Sequence, residues 1–344
     1  MGTRRLLLAL AVAAVLIALS LLLGRFGAYL VRAVAIAGIG ALSLNLLIGY
    51  CGQISFAQGA LLGVGAYVAG NLGNAGVDGV LALLGAGAAT AAVGALIGLP
   101  ALRLRGLYFA IATLAAQAIL EYLFKMLEPF TGGVSGLVIR QPAFLGVPIA
   151  SDQVSAAVSV LVLLIAWLAL TRLTRTNLGR AFLVVRESEV VAQGMGIDVA
   201  RTKAWAFAIS GFVAGVAGGL IGFAARLASP EAFTLDLSAD YIAMIIVGGL
   251  GSWAGPLVGA AFVVLLPEAI QRVGEAFDIA NLLSALRELA FGLLIILFLI
   301  FEPRGLSSLL PRLRWTQPRR ARGTAASLGE RAEPAIATEG GERP

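Results

Sequence analysis

Gln53, Ser55 and Gln58 fall close together in "GYCGQISFAQGA" (Gly49–Ala60), with apolar sequence on both sides. Their chemistry is hydrogen bonding, because amides and hydroxyls donate and accept without titrating near neutral pH. Burying an amide with no partner costs about 2–7 kcal/mol, so each must face protein, water or a polar solute. Catalysis is a poor match. The chain has no histidine and one cysteine, Cys51, which excludes histidine-based metal sites, histidine proton relays and an internal disulfide. No catalytic residue and no metal ligand is assigned. A Walker A loop needs Gly-Lys-Ser/Thr. The only lysines are Lys125, after Phe124, and Lys203, after Thr202, so this chain does not hydrolyse ATP, and no cofactor is expected on it.

A second stretch has the same construction. "LLIGYCGQISFAQGALLGVGA" (46–66) and "IIVGGLGSWAGPLVGAAFV" (245–263) each hold an aliphatic run, a Gly-x-x-Gly element, a small polar residue, an aromatic, then glycine and an apolar helix. Gly-interrupted apolar segments in corresponding positions of two halves point to a translocation path. The candidate lining is Asn45, Gly49, Gly52, Gln53, Ser55 and Gln58 from the first break, with Gly248, Gly249, Gly251 and Ser252 from the second. The same groups would equally hold the breaks open by bonding freed backbone, and small residues also let helices pack closely.

The third feature is a long polar loop, Arg175–Phe207. Glu187 to Gly194 reads as a short amphipathic helix whose Val190, Val191 and Met195 could seat in a partner's groove. Gly194 and Gly196 would end it.

These features need membrane-spanning elements to hold them. Hydrophobic residues make up 59% of the 344 and charged ones 13%, against about 45–50% and 25% in soluble domains. The expected fold is an all-α integral membrane protein. Spans are placed at 6–23, 29–48, 55–72, 80–100, 107–125, 154–171, 203–225 and 285–302, since a span takes about 20 apolar residues. Residues 6–23 follow Arg4 and Arg5 but run longer than a signal-peptide core, and are read as a retained first helix. The net charge of +6 needs no nucleic acid, because the arginines lie in loops and in the tail.

Those arginines set sidedness. Arg4 and Arg5, Arg103 and Arg105, the loop 172–203 and the tail from Arg304 onward are basic and are placed in the cytoplasm, as are both termini. The loop 226–240, with Glu231, Asp236 and Asp240 against Arg226, is placed outside. Eight crossings return the tail to the cytoplasm only if 241–267 comes back to the side it left, so a re-entrant hairpin of two short half-helices is expected around Gly248–Pro256. On this reading no carboxylate sits at the middle of a span, as ion coupling would require. Residues 1–305 form the permease domain, and 306–344 form a basic tail of disordered composition.

The blocks Leu42–Gly70, Arg103–Ala115, "TGGVSGL" (Thr131–Leu137), Leu178–Leu220 and Met244–Ala260 resemble, in order, the LivM-type permease of branched-chain amino acid ABC importers. The resemblance implies a bacterial inner-membrane subunit that transports leucine, isoleucine or valine. It implies a LivH-like second permease, two ABC ATPase subunits and an extracytoplasmic binding protein as partners. It also puts Arg180, Arg186, Glu187, Glu189, Ala192, Gly194 and Gly196 in the ATPase-coupling loop, although Val190 and Val191 stand where the wider importer motif often has alanine. Relatives of this kind also serve urea, short amides and other carboxylates. A stand-alone secondary carrier is the competing class.

Overall fold

The structure, a computed structural model, describes residues 18, 24–102, 104, 106–141, 143–144, 146–148, 151–276 and 292. Apart from residues 18 and 292, the expected spans 6–23 and 285–302 lie outside the described residues, as do Arg103, Arg105 and the tail 306–344.

Helix α1 (Gly24–Asn45) continues into a π-helical turn, Leu46–Tyr50. Together they run 27 residues, about 40 Å at 1.5 Å per residue. Residues 51–57 are not helical, and α2 (Gln58–Asn74) starts at Gln58 instead of residue 55. Then come α3 (Gly79–Gly98), α4 (Leu107–Met126), the short α5 (Glu128–Thr131), the two-residue strands β1 (Leu137–Val138), β2 (Ala143–Phe144) and β3 (Val147–Pro148), and α6 (Asp152–Leu173). The long polar loop holds α7 (Asn177–Glu187) and α8 (Glu189–Gly194). It leads to α9 (Val199–Ala225), β4 (Leu227–Ala228), α10 (Leu235–Gly248) and α11 (Gly255–Ala276). Local chemistry marks the starts. Ser151 Oγ accepts from Val154 N–H at 3.3 Å to open α6, and Asp198 Oδ1 accepts from Arg201 N–H at 3.0 Å to open α9.

Among the described residues, five helical runs are long and apolar enough to cross a membrane: Gly24–Tyr50, Gly79–Gly98, Leu107–Met126, Asp152–Leu173 and Val199–Ala225. They match five of the expected spans to within a few residues. The chain is a mostly helical membrane protein. α1 and α9 form the centre, with 78% and 72% of their most apolar windows buried, whereas α3, α4 and α6 bury about a third or less.

Packing pairs give the directions. α2 runs parallel to α9, with Leu62 against Gly218 and Ala66 against Gly222. A Cβ on Gly218 would strike the Leu62 carbonyl, so the two backbones can meet this closely only through glycine. α10 and α11 are antiparallel, with Met244 against Gly259 and Gly248 against Gly255. The chain therefore turns back on itself at 249–254, where Gly249 and Gly251 take positive φ. One end of the bundle carries α7, with Arg180 and Arg186, and α8, and is called the arginine-rich end. The other carries the strands, where Leu137 pairs with Ala228 and Val138 with Leu227.

Candidate functional site

The two glycine-interrupted segments, far apart in sequence, meet in space at the arginine-rich end. Asn45, fully buried, donates from Nδ2 to the Ser252 carbonyl at 2.9 Å and accepts at Oδ1 from Gly251 N–H at 3.0 Å. One amide so satisfies both a donor and an acceptor of the second break, a use of the peptide groups that a broken helix leaves free. Tyr50 of the first break stacks on Trp253 of the second, with ring centroids 4.4 Å apart and planes inclined by 16°. The Trp253 carbonyl accepts from Trp167 Nε1 of α6 at 3.0 Å.

The polar loop reaches the same point. Arg186, in the last turn of α7, donates from Nη1 to the Gly49 carbonyl, and its guanidinium also lies against Gly251. Its Cα and Cβ pack on Gly52. The residue predicted for partner coupling thus touches both breaks at once. Glu187, the last residue of α7, is exposed.

From there residues 52–57 climb as irregular backbone to the start of α2. Gln58 Nε2 donates to Gly40 O at 3.1 Å and Ser43 Oγ at 2.8 Å, in the last two turns of α1. Its Oε1 is buried and finds no hydrogen-bond partner among the described residues. Ser55 is buried, and its Oγ accepts weakly from Ala57 N–H at 3.4 Å. Gln53 is 8% exposed, and its Nε2 lies 3.5 Å from Cys51 O, a marginal contact. Of the three residues that drew attention, Gln58 is the one firmly tied to another helix.

Four further polar residues close the centre, and sequence reasoning passed over all of them in this role. Gln117 Oε1 accepts from Ala60 N–H at 2.8 Å and its Nε2 donates to Phe233 O at 2.9 Å and Glu121 Oε1 at 2.8 Å. Ser238 Oγ accepts from Gly59 N–H at 2.7 Å. Ser43 and Ser210 link α1 to α9 through Ser210 Oγ and the Ser43 carbonyl at 2.8 Å. Gln117 and Ser238 occupy the free N–H groups of the first turn of α2. Gln117 carries the same signal as Gln53, a lone amide in an apolar run.

The α2 start also fixes the depth of α10. Ser238 bonds Gly59, and Tyr241 packs on Gly40. The loop 226–240 therefore does not stay at the strand end. After Ala228 the chain dips through Pro230–Phe233, and the first turns of α10 lie level with the middle of α1 and α9. Asp236 and Asp240 lie at that depth, Asp236 exposed and Asp240 half-buried. This corrects the expectation of a purely external acidic loop and of a mid-depth region without carboxylates. Charge counting registers sign, not depth.

The loop helices are pinned firmly. Lys203 of α9, 1% exposed, pairs through Nζ with Glu189 Oε1 of α8 at 2.7 Å. Ser188, between α7 and α8, caps α8 by accepting from Val191 N–H at 3.4 Å. Ala192 is buried, while Val190, Val191 and Met195 stand 71%, 55% and 67% exposed. Gly194 is exposed, and Gly196 takes φ +77°, which a side chain would strain. Arg180 donates to Asn177 Oδ1 within α7. α7 itself was not expected, although Leu178, Phe182 and Val185 recur at helical spacing and Phe182 and Val185 are buried. Breaking a buried ion pair from one side costs about 3–5 kcal/mol. Lys203→Met should lower the thermal midpoint of the purified protein clearly, and adding Glu189→Leu should restore most of it. An unchanged midpoint for Lys203→Met would mean the pair does not anchor α8.

A family model described as "Branched-chain amino acid transport system / permease component" matches residues 26–300. The high-affinity branched-chain amino acid transport system permease protein LivM of Escherichia coli is 32% identical over 318 residues, covering 85% of this chain and 71% of the relative. The LivM of Salmonella typhimurium is 31% identical with the same coverage. A probable branched-chain amino acid transport permease protein LivH of Methanocaldococcus jannaschii is 35% identical over 111 residues, 32% of this chain and 34% of the relative. No solved structure matches.

Proposed function

This chain belongs to the family of permease components of branched-chain amino acid transport systems, and from that premise we propose that it carries leucine, isoleucine or valine across the bacterial cytoplasmic membrane. It does so as one of two permeases of an ATP-driven importer. A LivH-like chain is the second, ATP is bound and hydrolysed on two separate ATPase subunits, and an extracytoplasmic binding protein delivers the solute. This chain needs no cofactor and makes or breaks no covalent bond.

The observation that carries the reading is the junction at which Asn45 and Arg186 tie both breaks to the polar loop. A permease needs two states, open to either side, and a partner that favours one of them. Val190 and Val191 of α8, with Met195 just past its end, offer the ATPase an apolar surface, and the Glu189–Lys203 pair makes α8 move with α9. Arg186 then passes that movement to Gly49 and Gly251. The arginine-rich end is cytoplasmic, and the strand end faces the binding protein. The chain dips from the strand end into α10, turns at 249–254 and runs back along α11. The tip of this hairpin reaches Arg186, so it penetrates more deeply than the short half-helices first expected, and α11 at 22 residues is long enough to cross.

The candidate path runs along the irregular segment 51–57 and the tip 249–254. Irregular backbone is tolerated at membrane depth where it is buried in protein or lines a watery cavity. Leucine is proposed over urea or short amides because the long matches are to permeases named for branched-chain amino acids. Cells lacking this chain should lose uptake of labelled leucine and regain it on complementation, with isoleucine and valine competing. Uptake competed by urea or acetamide and indifferent to valine would overturn the substrate.

A further inference from the structure

A pocket at the strand end belongs to neither break. Its polar wall is Arg32 of α1, Arg226 at the end of α9, and Ser151, Asp152 and Ser155 at the start of α6. Val158, Leu220 and Phe223 line its apolar side. Arg32 donates from Nη1 to Asp152 Oδ1 at 3.0 Å. Arg226 has no ion-pair partner among the described residues. Two guanidiniums against one carboxylate leave the pocket a surplus of one positive charge. Arginines of membrane proteins gather at the cytoplasmic end, and these two converge at the opposite one.

The backbone points to the same residue. Among the described residues, Arg226 is the one non-glycine with positive φ, 56°. It ends α9 in the left-handed conformation that glycine usually supplies. Its carbonyl accepts from Ile139 N–H at 3.0 Å, which fixes the turn. A side chain kept in a strained backbone position is a pointer to function.

Size and charge select the ligand. The pocket measures about 40 Å³, and one water needs about 10–15 Å³. It takes a compact ionic group, not a whole leucine. Ser151 Oγ already accepts from Val154 N–H, so it has its proton to offer. Guanidinium forks and hydroxyls all donate, and a phosphate group accepts from each of them. Asp152 would repel a dianion, whereas a phosphodiester carries one negative charge and balances the surplus.

We propose that this pocket binds the phosphodiester of a phospholipid headgroup, with Arg226 as the main donor and Ser151 and Ser155 beside it. Basic pockets between spans suit such headgroups. The proposal does not depend on which solute is carried. A headgroup there bridges α6, with only 28% of its apolar window buried, to the central α1 and α9. Binding should therefore stabilise the bundle.

Thermal midpoints of the purified full-length chain in detergent test this, during titration with short-chain phosphatidylglycerol, the matching diacylglycerol or inorganic phosphate. A saturable rise with phosphatidylglycerol alone is expected. Arg226→Gln, at an exposed position that leaves the fold intact, should raise the half-saturating concentration about tenfold or more. Arg175→Gln, exposed at the opposite end, should respond as the unmodified chain does. An equal rise with inorganic phosphate would overturn the lipid as the source of the phosphate. No rise with either phosphate compound, or the same half-saturation in Arg226→Gln, would overturn the site. Equal weakening by Arg175→Gln would do so too, since it would mean diffuse attraction between charges.

Discussion

Arg186→Ala is expected to reduce leucine uptake by the reconstituted importer about 10- to 100-fold while leaving membrane insertion and ATPase association intact. A hydrogen bond to a charged group contributes about 1.5–3 kcal/mol, and each 1.4 kcal/mol is a factor of ten. Here the bond ties α7 to the Gly49 carbonyl, and the same side chain lies on Gly251. Val190 and Val191, the surface proposed for the ATPase, are untouched by the change. The importer carrying this variant should therefore hydrolyse ATP on its ATPase subunits while moving little solute. Arg186→Lys should fall between, since an ammonium can still reach one carbonyl but cannot span both breaks with a planar fork. Wild-type uptake by Arg186→Ala would remove Arg186 from the transmission.

Asn45→Ala should damage the protein itself. The substitution strips a partner from the Ser252 carbonyl and from Gly251 N–H, and each unsatisfied buried group costs about 1–3 kcal/mol. The hairpin tip would lose its bonds to α1, leaving the Tyr50–Trp253 stack to hold it. A lower thermal midpoint together with loss of uptake is expected. Asn45→Asp keeps the acceptor for Gly251 and loses the donor to Ser252, so it should be intermediate. Gln53→Leu should be much milder in stability, because the Gln53 amide makes only the 3.5 Å contact to Cys51 O. Lost uptake with an intact complex would then mark Gln53 as lining. If Asn45→Ala keeps both its midpoint and its uptake, the two breaks do not act as one unit.

Much of this arrangement could be read in the residues. Polar amides in an apolar run exposed the first break, and the repeated Gly-x-x-Gly element exposed the second. The exposed Val190, Val191 and Met195 followed from amphipathic spacing. What could not be read was the meeting of the breaks, because no periodicity links Asn45 to Ser252. The same limit applies to Gln117 and Ser238, whose roles depend on where α2 begins. α2 starts at Gln58 because Gln58 bonds back to Gly40 and Ser43, and the chain needs residues 51–57 to climb there. That offset carries α10 down with it, which is why Asp236 and Asp240 lie at mid-depth and not in an outer loop.

Those two carboxylates also make the energy source the sharpest question, since an ion-coupled carrier would use such groups. The direct measurement is labelled leucine accumulation in proteoliposomes holding this chain, a second permease, the ATPase subunits and the binding protein. Accumulation that needs enclosed ATP and the binding protein, and that ignores imposed proton or sodium gradients, is the result expected of an importer permease. Accumulation by this chain alone, driven by an ion gradient without ATP, would contradict the account.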